Sequence, residues 1–254
     1  MKNESNKPQT TWDYTSLAAH YDRRADYSDD AIDKIIALTK PPSNLPIADV
    51  GAGTAKLTKL LLARGYEVRA VEPNDAMRSF GIKNTEGQNV TWSVGTGEET
   101  GLPSDSFGLV TFGSSFNVTD RLRTLSEVQR LLVSRGWFAC MWNHRDLNDP
   151  IQAKVEGIIQ AAIPAYDYGT RRQDQTAVIR ESGLFDEPVT IEGTTTNTLP
   201  AEDYIDAWRS HATLQRQAGD AFAEVVASIE RALEGMDMVS VPYTTRVWCA
   251  QLAE

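Results

Sequence analysis

Residues 47–54 read IADVGAGT: a short apolar run carrying Asp49, then Gly51 and Gly53 two apart. Paired glycines after an apolar run permit a tight turn and let backbone amides approach a ligand closely. Further on, the run YEVRAVE ends at Glu72. An acid about twenty residues beyond such glycines is placed to accept hydrogen bonds from both hydroxyls of a ribose. A dinucleotide loop calls for a third small residue, in the pattern G-x-G-x-x-G, and Lys56 occupies that place. An acid beside the loop repels a pyrophosphate and suits a ligand with an ammonium group near its ribose. An adenosine with an ammonium and no phosphate is S-adenosylmethionine (SAM). Asp49, Gly51, Gly53 and Glu72 together favour it over a nicotinamide or flavin dinucleotide.

Methyl transfer from a sulfonium is an in-line displacement, helped by alignment and, for a hydroxyl or protonated amine, by a base. A carboxylate acceptor needs none. The chain has three histidines. His144, in MWNHRD after the run WFACMW, is the first candidate base, and His20 the second. His211, in WRSHAT, falls in a helical stretch outside the strand–helix repeat. Tyr14, Tyr21 and Tyr27 come from the N-terminal segment; Tyr166, Tyr168, Arg171 and Arg172 lie in AYDYGTRR; Trp208 and Arg209 follow. Such aromatics and cations could recognise an acceptor, and a pair of arginines could clamp a carboxylate or phosphate. No histidine or cysteine cluster has zinc-ligand spacing, and no metal is expected. Cys140 and Cys249 sit in apolar runs and read as buried, reduced thiols.

The elements that must position these residues alternate. LPIADV, YEVRAVE, VTWSVG, SFGLVTFGSS and WFACMWN read as strands. DDAIDKIIALT, AKLTKLLLARG, NDAMRSFGI and RLRTLSEVQRLLVSRG read as helices, the first capped by Ser28 or Asp29 and stopped by Pro41 and Pro42. The pattern predicts a mostly parallel sheet with helices on both faces. After Asn143 the rhythm changes. DPIQAKVEGIIQAAI, AEDYIDAWRS and AFAEVVASIERALEG read as helices, and VTIEGTTTNTL and YTTRVWCAQLA as closing strands. The expectation is a disordered tail at 1–10 and a single domain at 11–254. Its cap segments fall at about 11–40, 145–175 and 200–235.

The 254 residues are 41% hydrophobic, enough for a sizeable core. A formal net charge of −10 argues against nucleic acid as a partner. The polar start MKNESNKPQT has no apolar signal region, and no stretch is long and apolar enough to span a membrane. The expectation is a cytoplasmic protein, monomer or homodimer, acting on a small molecule.

The run IADVGAGTAKLTKLLLARGYEVRAVEPNDAMR resembles the first two motifs of class I SAM-dependent methyltransferases. The likeness continues through GTGEETGLPSDSFGLVTFGSSFN, EVQRLLVSRGWFACMWNHRD and VPYTTRVWC, over roughly residues 14–253. LAAHYDRRADYS resembles the N-terminal cap of the methyltransferase type 11, trans-aconitate methyltransferase-like subgroup. The resemblance implies a Rossmann-like α/β fold with a seven-stranded, mostly parallel sheet and a helical cap. It implies that Asp49, Gly51, Ala52 and Gly53 line the methionine half of SAM. Glu72, Pro73, Asn74 and Met77 would lie by the ribose and adenine, and Gly97, Glu98 and Glu99 at the adenine edge. Ser114 and Phe116 would flank the sulfonium and the acceptor. Tyr14, Tyr21, Arg24, Tyr27, Asn117, Arg171, Arg172, Trp208 and His211 would join Phe116 in the acceptor pocket.

The chain departs from the subgroup in three places. His-Trp after the fourth strand is replaced by Asn117-Val118, the cap prolines are absent from RADYS, and Gly108 replaces an acid. The function implied is transfer of a methyl group to a small polar or anionic metabolite, sugar derivative or natural-product intermediate, with oxygen favoured as acceptor. The alternatives are a SAM-binding enzyme of different chemistry, a non-catalytic SAM-binding partner protein, and a nicotinamide oxidoreductase, which Lys56 disfavours.

Overall fold

The computed structural model describes residues 24–169, 172–209 and 211–254. The run IADV forms β1 (Ile47–Val50), buried at every residue, as suits a parallel strand covered on both faces. β2 (Val68–Val71) and β3 (Val90–Ser93) follow it to one side. β4 (Phe107–Gly113) and β5 (Leu132–Arg145) lie on the other. β7 (Met238–Gln251) and β6 (Val189–Pro200) close the sheet, in the order β3-β2-β1-β4-β5-β7-β6. The first five strands pair in parallel, while β7 runs antiparallel to both β5 and β6. The sheet is therefore mixed, and its strand order reverses between β1 and β4.

Short polar side chains start the helices. Ser28 caps α1 (Asp29–Thr39) by accepting from the Ala31 N–H, and left-handed Lys40 ends it before Pro41. α2 (Lys56–Leu62) follows the glycine loop. Asn74 caps α3 (Asp75–Asn84), Asp120 caps α4 (Arg121–Leu131), and Asp149 caps α5 (Pro150–Ala162) with proline in its first turn. One short helix, α6 (Thr176–Ser182), falls in a segment with no expected structure, while α8 (Ala212–Ala218) lies within the expected cap segment 200–235. α7 (Ala201–Arg209) and α9 (Phe222–Ala232) complete the set.

Three apolar cores result. Phe107, Phe112, Phe116 and Phe138 meet α4 and α6 on one face of the sheet. Ile32, Ile35, Leu57 and Leu61, from α1 and α2, cover the other. The third joins α5, α7, α8 and α9 to Val239 and Val241 at the start of β7. β5 pairs with β7 only as far as Tyr243, whereas β6 and β7 pair on to Pro200 and Met238. These two strands thus outrun the sheet as a ribbon, and the late helices pack on it. Pro242, which has no N–H to give, sits where the β5 ladder stops.

The structure shifts expected boundaries: β7 begins at Met238, ahead of the strand read from Tyr243. The helix expected to run to Gly136 ends at Leu131, and Leu132 pairs with Phe107 as the first residue of β5. Arg135 takes a left-handed φ of 61°. Leu131 and Leu132 are both buried, one on the helix and one on the sheet, so the apolar pattern runs on while the backbone changes. Cys140 and Cys249 are free and buried, in β5 and β7. The N-terminal patch SLAAHYDRR, apart from its last residue Arg24, and the tail 1–10 lie outside the described residues. No helix among the described residues is long and apolar enough to cross a membrane.

Phe138 has no exposed surface, and its ring lies 5.2–5.8 Å from those of Phe112, Phe116 and Phe185. Phe138→Ala is expected to cost roughly 3–5 kcal/mol of unfolding free energy in urea melts. A loss below about 1 kcal/mol would contradict this core.

Candidate active site

The reversal of strand order between β1 and β4 leaves a crevice at their carboxyl ends, where open α/β sheets bind ligands. Three loops meet there. The first follows β1, with Gly51 at φ 69°, Gly53 at φ 57° and Ala55 at φ 75°. The N–H groups of Gly51 and Ala52 both donate to the Val71 carbonyl, which pins the loop to β2. A Cβ on Gly51 would stand 2.4 Å from Ser115 Cβ, so both the backbone angle and the space demand glycine. Ser115 Oγ donates to the Val50 carbonyl at 2.6 Å and ties the β4 exit to β1.

Glu72 directly follows Val71, the last residue of β2, and it is buried. Its two carboxylate oxygens accept from the Gly53 N–H and the Asn74 N–H, each at 2.9 Å. One side chain thus joins the glycine loop to the start of α3. Asn74 accepts from the Met77 N–H. Met77 is buried under the loop, its Cε 3.2 Å from where a Gly53 Cβ would lie. Pro73 is exposed beside them.

Asp49 has no exposed surface. Thr58 Oγ1 donates to it at 2.6 Å, and Thr111 Oγ1 lies at 3.3 Å. Burial pushes its carboxyl up to about 6, the two threonines pull against that, and the charge of Glu72 adds to it. Burial also raises Glu72, opposed by the N–H groups of Asn74 and Gly53 and by Arg78. Two buried acids around one loop make a site that welcomes a cation and repels a pyrophosphate. Lys56, in the place of a third glycine, donates to Asp26 at 2.9 Å. The donor set therefore fits an ammonium or sulfonium ligand and does not fit a dinucleotide.

The second loop follows β3. Gly97 is buried, and a Cβ there would meet Thr119 Cγ2 at 2.7 Å. Glu98 accepts from the Asp120 N–H at 2.6 Å, and Glu99 is exposed. The third loop follows β4. Ser114 holds a left-handed φ of 59°, and its Oγ lies 2.8 Å from the Tyr27 hydroxyl. Around Tyr27 the chain is fastened to the same sheet edge. Asn143 Nδ2 donates to the Ala25 and Asp26 carbonyls, and the Ser28 N–H donates to Thr245 Oγ1. Arg24, exposed, acts on the charge balance of Tyr243 on β7. His144, half-buried, follows Asn143 at the carboxyl end of β5 with its Nε2 buried. His20, Tyr14, Tyr21 and Arg171 lie outside the described residues.

Three expected acceptor contacts need correction. Phe116 has no exposed surface, because the one-turn 3₁₀ helix Phe116–Val118 turns its ring into the core against Phe112 and Phe138. Trp208 is 5% exposed and packs in the third core. His211 caps α8, accepting from the Leu214 N–H at its Nδ1, and stacks on Trp208. Asn117 accepts from Trp142 Nε1 at 2.9 Å at the β4 exit, and Arg172 lies over the face of Tyr168. Sequence reasoning missed the two threonines that hold Asp49, and Ser115. It also missed Asn143, since a search for bases passes over an amide next to a histidine. Among the described residues no group of three or more His, Cys, Asp or Glu is placed to hold a metal ion.

Residues 48–140 match the family model described as Methyltransferase domain. An uncharacterised methyltransferase of Mycobacterium tuberculosis is 34% identical over 134 residues, 52% of this chain and 53% of the relative. A ubiquinone/menaquinone biosynthesis C-methyltransferase of Rubrivivax gelatinosus is 26% identical over 136 residues, 50% of this chain and 53% of the relative. The chain thus spans about half the length of the curated relatives it matches. Among solved structures, a protein assigned as a type II methyltransferase from Anaeromyxobacter dehalogenans aligns with a TM-score of 0.65 at 19% identity. That alignment covers 90% of this chain and 97% of the other. The YcgJ protein of Bacillus subtilis aligns at 0.54 and 15% identity, over 89% and 99%. These structural likenesses establish the fold.

Two outcomes are expected of the loop. Gly51→Ala, strained in both angle and space, should lower the melting temperature by several degrees and abolish ligand binding at the loop. The Asp49 carboxyl binds a proton more readily folded than unfolded, so its contribution to stability rises as pH falls from about 6 towards 4. The corresponding cost of the buried charge at pH 7 is roughly 3 kcal/mol. Asp49→Asn should flatten that part of the pH–stability profile; an unchanged profile would contradict the placement of Asp49.

Proposed function

We propose that this chain is a class I SAM-dependent methyltransferase that transfers the methyl group of SAM to an oxygen of a small polar or anionic acceptor. The observation that carries the reading is the Glu72 bridge between the glycine loop and α3, with buried Asp49 behind it. Glu72 would accept from the ribose hydroxyls on its remaining lone pairs, and its bonds to Gly53 and Asn74 fix its orientation in advance. Asp49 would act on the methionine ammonium as charge, since its oxygens already face Thr58 and Thr111. Gly51, Ala52 and Gly53 would border the methionine half, Met77 the adenine, and Ser114 the sulfonium. SAM supplies an electrophilic methyl for in-line displacement. The segment 24–28, fastened to β4, β5 and β7, would exclude water and aim the acceptor. His144, at the end of β5, would take the proton from a hydroxyl acceptor.

A carbon acceptor is the second reading, favoured by the relatives named as C-methyltransferases. The two separate by product. Protein incubated with deuteromethyl-SAM and a cell extract should yield a labelled metabolite whose methyl lies on oxygen; a label on carbon would replace the first reading with the second.

Calorimetry should show binding of SAM and of S-adenosylhomocysteine, and none of NAD. Glu72→Gln should weaken SAM by roughly 1.5–3 kcal/mol, the worth of hydrogen bonds to a charged group. SAM affinity should also fall as pH drops below about 6, where Asp49 gains its proton. NAD binding without SAM binding would overturn the proposal. His144→Ala should lower turnover by roughly 10²–10⁴-fold on a hydroxyl acceptor; full activity from pH 6 to 9 would remove it as the base.

A further inference from the structure

Beyond the carboxyl end of β5 lies a second polar centre, roofed by the late helices. Arg145, the last residue of β5, donates to Gln152 Oε1 at 3.1 Å and pairs with Glu156 at 3.4 Å. The Tyr168 hydroxyl donates to the same Glu156 carboxylate. Trp208 faces the Arg145 guanidinium at 4.7 Å. Arg172 lies 3.6 Å from the centroid of the Tyr168 ring and forms no ion pair among the described residues. Glu156 thus stands near two guanidinium groups and pairs with only one of them, Arg145. The side chains of Arg145 and Glu156 are 11% and 8% exposed, so the surplus positive charge is screened little by solvent. Burial pushes the Arg172 guanidinium below its ordinary range, the mark of a cation short of a partner.

Gln152 supplies a second, independent observation. It has no exposed surface. Its Oε1 accepts from both Arg145 and the Tyr204 hydroxyl, which fixes which way the amide points. Its Nε2 is then left buried with no hydrogen-bond partner. A buried donor without an acceptor is destabilising, and an oxygen of a ligand would remove that cost.

We infer that Arg145, Gln152 and Arg172 form a binding site for one oxyanion of the acceptor, a carboxylate or a phosphate, that anchors it while a different atom takes the methyl. The role of anchor rests on the methyl-transfer reading; the anion site does not. Guanidinium and amide N–H groups occupy the lone pairs of a bound oxyanion and draw off its charge, which makes it a poor nucleophile. Glu156, held by Arg145 and Tyr168, keeps Arg145 in place and leaves Arg172 and Gln152 Nε2 to meet the ligand.

The test is calorimetric titration of the full chain with benzoate, phenylphosphate and neutral benzamide, each with and without S-adenosylhomocysteine. At least one anion should bind and benzamide should not; which anion binds separates carboxylate from phosphate. Gln152→Glu keeps the Oε1 acceptor and places a negative charge among the arginines. It should hold or raise the melting temperature yet weaken the anion at least tenfold, which a merely structural Gln152 would not do. Arg172→Gln should weaken the anion similarly with little change in melting temperature. No anion binding to the unsubstituted protein, or binding that survives both substitutions, would overturn the site. With deuteromethyl-SAM present no methyl benzoate should form, and its formation would overturn the anchor role. Failure of S-adenosylhomocysteine to bind, alongside anion binding sensitive to Gln152→Glu, would instead overturn the methyl-transfer reading and leave the anion site standing.

Discussion

A single buried carboxylate decides the shape of the crevice. Glu72 accepts from Gly53 on one side and Asn74 on the other, so the loop after β1 and the start of α3 cannot move apart without stranding two N–H groups. The rest of the crevice follows from that constraint. Gly51 is held where only glycine fits against Ser115, Ser115 reaches Val50, and Met77 fills the space beneath Gly53. Burial raises the Glu72 carboxyl, so the latch is made at a cost in desolvation. Such a cost is sustained where the negative charge has a use, and a cationic ligand is one.

The two polar centres have opposite signs. Asp49 and Glu72 make the crevice at β1 and β2 negative, and Arg145 with Arg172 makes the space beyond β5 positive. β4 and the His144 end of β5 lie between them in the sheet order. On the proposed reading, a cationic methyl donor and an anionic acceptor would be drawn to different places, each repelled from the other's. The ribbon of β6 and β7 makes this possible, because it carries α7 to α9 past the sheet edge and roofs the arginines with a core of their own.

Much of the crevice was legible because its signals are local. A continuous apolar run such as IADV can only be a buried strand or helix, and the glycines after it settle the choice. Glu72 was legible because a strand end and an acid fall together. The cap was less so. α6 and α8 have seven residues each, too few for helical periodicity to show. The start of β7 did carry a period-2 signal, with Val239 and Val241 buried between exposed Met238 and Ser240, but Pro242 masks it as a turn. Phe116 and His211 escaped for another reason. Whether a ring faces a pocket or a core depends on one turn of backbone, and a histidine that caps a helix has the same letter as one that takes a proton. Arg145, Gln152, Glu156 and Arg172 meet only through tertiary structure, so their spacing carries no motif.

The most direct measurement is a crystal structure of the protein with S-adenosylhomocysteine. The ribose hydroxyls should lie within hydrogen-bond distance of Glu72, the ammonium should face the loop in front of Asp49, and the Glu72 bonds to Gly53 and Asn74 should persist. A ligand bound away from Glu72, or a loop that opens by breaking those bonds, would contradict the claim that this carboxylate both shapes the crevice and receives the cofactor.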